Sequence, residues 1–122
     1  MLEDLVARVF ASRNGAHLAH WRAKGPGSYA RHMALGEFYD ALIDKVDGIV
    51  EAYQGATGRL IGTVNLNAAD ARADITAKLA DDCNWIAKNR EKIANGIPAI
   101  ENLLDDLCDL YLTTIYKLKN LS

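Results

Sequence analysis

Three breaks in an otherwise helical rhythm govern what this chain can fold into. The first, Gly25-Pro26-Gly27, ends any helix before it, and Ser28 is a good N-cap for the next. The second is the string Gly55, Gly58 and Gly62 with Thr63-Val64-Asn65, a connection of about sixteen residues after which Asn67 caps a third helix. The third is Asn95-Gly96, a left-handed stop, with Pro98 opening the next helix in its first turn. Between the breaks, apolar residues recur at three- and four-residue spacing. Leu2, Leu5, Val6, Val9 and Phe10 mark residues 2–23, and Leu35, Phe38, Leu42, Val46, Ile49 and Tyr53 mark 29–54. Ile75, Leu79, Cys83, Ile86 and Ile93 mark the third stretch, and Ile100, Leu103, Leu104, Leu107, Leu110, Tyr111, Ile115 and Leu118 mark 98–120. An all-α chain of four helices, with two tight connections and one long one between helices two and three, follows.

Polar residues on these helices point to chemistry. His20 lies six residues before Pro26 and His32 six after it, so two antiparallel helices would carry both imidazoles to the same level. Asp47 and Glu51 are spaced i, i+4 and share a helix face. Fifteen residues separate His32 from Asp47, roughly 22 Å of helix at about 1.5 Å per residue. Metal–ligand bonds are only about 2.0–2.2 Å long, so one ion cannot span the two pairs within a chain. A second copy running antiparallel, with the helices crossing near Tyr39–Ala41, would set the histidines of one chain against the carboxylates of the other. Such a contact is isologous and yields two equivalent sites. On a helical wheel of about 100° per residue, His32, Gly36, Asp40, Asp47 and Glu51 share a sector with Met33, Ile43 and Val50. That second, semi-polar face suits a partner, and a solvated helix has no need of it.

Length and composition bound the rest. At 122 residues the expectation is a single domain, 1–122. Half the residues are apolar and a quarter charged, as in ordinary water-soluble domains. No apolar run reaches the roughly eighteen residues of a membrane span, and Met1-Leu2-Glu3-Asp4-Leu5 lacks a secretory leader's pattern. Cys83 and Cys108 show neither metal spacing nor a disulfide framework, so they read as small buried residues of a reducing compartment, the cytoplasm. A net charge of −2 with no Lys/Arg cluster argues against DNA binding.

Ala19-His20-Trp21-Arg22-Ala23-Lys24-Gly25-Pro26, then His32, Phe38, Asp47 and Glu51, resembles the Dps mini-ferritins over roughly residues 15–58. The resemblance implies a ferritin-like four-helix bundle with one long crossover, a fold the two tight connections and one long one also suit. It implies Fe(II) oxidation by peroxide or dioxygen at intersubunit sites, with His20, His32, Asp47 and Glu51 as iron ligands and catalytic residues. It further implies a homodimer, a twelve-subunit cage, and iron storage or detoxification under oxidative stress.

Two departures accompany the likeness. Family members usually carry an acidic residue four positions after the second histidine, and often a Glu directly after it; here those positions are Gly36 and Met33. Glu37 is rotated by about 100° around the helix and is a poor substitute. The expectation is one competent iron site per centre and a weakened second one. Lysine-rich tails are also missing. Two His and two carboxylates suit zinc as well, so a non-catalytic helical oligomer with a degenerate or zinc-occupied site is the alternative. His17 is expected to be structural; Asp105, Asp106 and Asp109 on helix four are the acids that would line an ion path only if an assembly brought them together.

Overall fold

The computed structural model describes residues 1–121; Ser122, the last residue of the expected domain, lies outside them. Five helices and their connections make up the described residues: α1 (Leu2–Arg22), α2 (Ser28–Thr57), α3 (Ile75–Lys88), α4 (Arg90–Ala94) and α5 (Pro98–Asn120). The all-helical expectation is met. No helix among the described residues is long and apolar enough to cross a membrane.

Each long helix buries the stripe its sequence periodicity marks. Leu2, Leu5, Val6 and Val9 of α1 meet Leu35, Phe38, Leu42, Val46 and Ile49 of α2, and Ile100, Leu104, Leu107 and Tyr111 of α5 complete the core with Leu79 and Ile86 of α3. Fully burying one such side chain is worth about 1.5–3 kcal/mol. Helix α1 packs on α2, α2 on α5, α5 on α3 and α3 on α1, while the short α4 lies against α5. The α2–α5 and α1–α3 contacts join segments far apart in sequence and close the arrangement.

Three local expectations need correction. Gly27, not Ser28, is the N-cap of α2; its φ of 78° lies in the left-handed region that favours glycine. Asn67 caps nothing. Residues 67–74 stay outside the third helix because Asp70 Oδ1 accepts from the Arg72 amide at 2.9 Å, tightening a turn there. Helix α3 starts instead after Asp74, whose Oδ1 accepts from the Ala77 amide at 3.2 Å. The stretch expected to run to Asn95 is interrupted at Asn89, where Asn89 Nδ2 donates to the Trp85 carbonyl at 2.8 Å. The chain restarts as α4, pinned by Arg90, which donates to Glu101 Oε2 and Asp105 Oδ1 at 2.6 Å each. The left-handed stop at Asn95 (φ 51°) and Pro98 at the start of α5 agree with the sequence.

A polar network crosses the core between α1, α3 and α5. Asp82 is 1% exposed, accepts from Ser12 Oγ at 2.5 Å, and pairs with Arg8 at 3.0 Å and Lys78 at 2.9 Å. Tyr111 OH donates to Ser12 Oγ at 2.7 Å, and burial raises the phenol's pKa well above its ordinary value. No buried side-chain nitrogen or oxygen is left without a hydrogen-bond partner among the described residues. The network is fully satisfied, the condition under which buried polar groups specify packing rather than weaken it.

Candidate metal site at the first helical turn

The turn at residues 23–27 returns the chain so that the end of α1 faces the start of α2. His20 and His32 then stack, with ring centroids 3.6 Å apart and planes 19° from parallel. Each ring nitrogen Nδ1 lies against the other residue's backbone carbonyl: His20 Nδ1 to His32 O at 2.7 Å, and His32 Nδ1 to His20 O at 3.0 Å. A carbonyl oxygen only accepts, so both Nδ1 atoms carry the proton and donate. The His20 carbonyl is one of the last four of α1, which have no partner within the helix, and His32 supplies one. Neutral imidazoles in this tautomer keep a lone pair on Nε2. Neither Nε2 takes part in a hydrogen bond among the described residues.

Gly36 sits beneath this pair. A Cβ there would lie 3.2 Å from His20 Cε1 and 3.4 Å from its Nδ1. The helix therefore has no side chain at the position where the mini-ferritin pattern calls for an acid, and a carboxylate there would displace the His20 ring. Glu37 turns away to meet Lys117 Nζ at 3.3 Å. Around the pair runs an aromatic stack. His17 lies 4.1 Å from Trp21 and 4.2 Å from Tyr39, ring centre to ring centre, and Tyr39 meets His20 edge-on at 5.4 Å. Loss of solvation, then the Arg13 charge and His20, lower the His17 pKa below its ordinary value, with Asp40 opposing. His17 thus lies between the rings of Trp21 and Tyr39.

Asp47 and Glu51 lie elsewhere. They flank a cleft of about 360 Å³ between α1 and α2, walled by Val6, Phe10, Val46, Val50 and Ile61. Both are exposed, and neither joins an ion pair among the described residues. Because α2 is unbroken from Ser28 to Thr57, the roughly 22 Å between His32 and Asp47 is a real separation along one rod. The fold thus brings the histidines together and leaves the carboxylates apart. No three His, Cys, Asp or Glu side chains meet closely enough to hold a metal ion among the described residues.

Other expected residues settle into plain roles. Asp105 is held by Arg90, whose hydrogen bond lowers its pKa, and Asp106 approaches Lys45 at 3.8 Å. Cys83 and Cys108 are free thiols on facing helices; burial, and secondarily the neighbouring Cys83, push the Cys108 thiol up to about 12. Asp82 was missed as a core residue. Its signal was present, since it falls three residues after Leu79 and four before Ile86, on the buried face of α3.

Comparison with known proteins corrects the resemblance. A family model described as a family of unknown function (DUF5856) matches residues 20–118. An uncharacterized 14.6 kDa protein from the mobD–ri intergenic region of Enterobacteria phage T4 is 27% identical over 119 residues, covering 95% of this chain and 86% of the relative. No solved structure matches the chain. The Dps assignment rested on the spacing of His20-Trp21, His32 and Asp47–Glu51, and the family that matches across most of the chain is a different one. The vacant position at Gly36 and the diversion of Glu37 to Lys117 are the physical side of that correction.

Proposed function

The chain belongs to the family of unknown function DUF5856, and from that premise we propose that it is the subunit of a helical homo-oligomer that binds and oxidises Fe(II) between subunits. One observation carries the proposal: two stacked imidazoles whose Nδ1 protons are committed to backbone carbonyls, leaving both Nε2 lone pairs unspent. Metal-binding histidines generally fix their tautomer in this way. An antiparallel second copy, crossing near Tyr39–Ala41, would carry Asp47 and Glu51 of the partner to His20 and His32. Imidazole suits Fe(II), and hard carboxylate oxygens favour Fe(III), so the combined set favours oxidation. In the overall balance two Fe(II) give up one electron each, and one hydrogen peroxide takes up those two electrons with two protons to leave two waters. In this proposal the four long helices form a ferritin-like bundle with one crossover between α2 and α3, α4 continues the third rod, and the cytoplasm is the address.

A second function, a non-catalytic oligomer stapled by Zn(II), draws on Gly36. With no acid at that position, the set is two imidazoles and two carboxylates, a composition that also suits tetrahedral zinc. Anaerobic Fe(II) titration followed by peroxide, with near-ultraviolet absorbance and light-scattering mass recorded together, separates the two. Under the first, His32→Ala and Asp47→Asn abolish oxidation and leave the mass unchanged. Under the second, the same substitutions or a chelator lower the mass, and wild-type protein oxidises nothing.

A further inference from the structure

The arginines of this chain fall into two groups. Arg8 pairs with Asp82, Arg59 with Glu3 and Arg90 with Glu101 and Asp105, while Arg13 donates to Asn14 at 3.1 Å. Arg22, Arg31 and Arg72 have no such acceptor: none of their guanidiniums joins an ion pair or side-chain hydrogen bond among the described residues. Yet all three line a single cleft of about 240 Å³. They reach it from three separate segments, the last turn of α1, the start of α2 and the connection before α3. The remaining walls are alanine, such as Ala19 and Ala73, which offer no competing side-chain acceptor. The acids nearest in sequence, Asp70 and Asp74, each accept a backbone amide through Oδ1, from Arg72 and Ala77, and neither joins an ion pair with the three arginines among the described residues.

Three guanidiniums around one cleft raise the local positive potential and draw an anion to it. The positive end of the α2 dipole, close to Arg31, is offset by the negative end of the α1 dipole, close to Arg22, so the guanidiniums themselves supply the field. We propose that Arg22, Arg31 and Arg72 form an oxyanion site that takes the phosphate group of a small molecule. Guanidinium is a planar fork of N–H donors that matches phosphate oxygens in pairs, which a lysine cannot do. The cleft, about 240 Å³, has room for a phosphoryl group, and its open side leaves the rest of the molecule in solvent. No histidine, carboxylate or thiol lines it, so phosphate binding can be read without iron, although Arg22 and Arg31 neighbour His20 and His32 in the chain.

Calorimetric titration with inorganic phosphate and with glycerol phosphate at low ionic strength tests it, against chloride at matched ionic strength. One phosphate should bind per chain. Arg31→Gln and Arg72→Gln should each weaken binding about tenfold or more, the usual effect of losing a charge-assisted hydrogen bond. Arg31→Lys should recover only part of the loss. None of these changes should alter the circular dichroism, because the three side chains have no protein acceptor to lose. Absence of saturable binding, full displacement by chloride, or affinities unchanged in the variants would each overturn the site. So would capture of a single-stranded oligonucleotide or of phosphatidic acid vesicles that inorganic phosphate fails to displace.

Discussion

Gly36 lacks a side chain where the His20 imidazole needs room, and that single contact has a measurable price. Glycine to alanine inside a helix normally gains about 1 kcal/mol. Here the new Cβ would lie 3.2 Å from His20 Cε1, so the ring must shift and strain its bond to the His32 carbonyl. Gly36→Ala should therefore stabilise the protein by clearly less than that figure in urea titrations, and should move the His20 ring resonances. A full gain with unmoved resonances would mean the ring does not rest on Gly36. Asp82 sets a second case. Replacing it with Ala breaks a buried network and leaves Arg8 and Lys78 without their shared carboxylate, at a cost of about 3 kcal/mol or more. Tyr111→Phe removes only the donor to Ser12 and should cost about 1 kcal/mol. Equal losses in the two variants would mean Asp82 is not the hub. At this scale the sequence was partly legible. The meeting of His20 and His32 follows from their equal distance from Pro26, but the reciprocal carbonyl bonds depend on how the two helices pack. The Arg22–Arg31–Arg72 grouping had no local signal at all, because its members come from segments that only the tertiary fold unites.

Between elements, the long connection after α2 is tied to the first turn of α1. Glu3 accepts from Arg59 Nη2 at 2.9 Å and from the Gly62 amide at 2.9 Å. These bonds, the Gly62 amide first and Arg59 second, bring its pKa from an ordinary 4.5 down to about 2. A carboxylate whose folded pKa is depressed stabilises the fold fully above its unfolded pKa and loses that contribution as pH falls. The advantage of wild type over Glu3→Gln should thus be complete at neutral pH, shrink from about 4.5 downward, and vanish near 2. Urea midpoints of both proteins across that range check it, and a pH-independent gap would refute the carboxylate's role. Helix positions in general were legible from apolar spacing and from Gly-Pro-Gly, Asn95-Gly96 and Pro98. The start of α3 was not, because Asn67, Asp70 and Asp74 are all competent caps. Which one wins is decided by the turn that Asp70 makes with the Arg72 amide.

For the whole molecule, the semi-polar face of α2 is the quantity to probe. Ile43 lies on it, only half-buried and outside the core cluster. Ile43→Glu should leave the helical content of the subunit intact and shift the light-scattering mass to that of a monomer. A wild-type mass already monomeric at high protein concentration would sink the oligomer, and with it the meeting of His32 and a partner's Asp47. The all-helical class was legible in the sequence, since periodicity and break residues dictate it; the semi-polar sector of α2 gives an assembly only as an expectation, because the same sector on a lone helix can face water. The tie between Glu3 and the connection also bears on time. Helices α1 and α2 are joined by a short turn, and Glu3, Arg59 and Gly62 stand at the opposite, open end of that pair, so bonds spanning 56 and 59 residues close only after the two helices have zipped together along their length. A contact made after the folding barrier governs escape more than arrival. Removing the Glu3 carboxylate should leave the refolding rate nearly unchanged and hasten unfolding, so this one side chain sets how long a folded copy survives and has little influence on how quickly it forms.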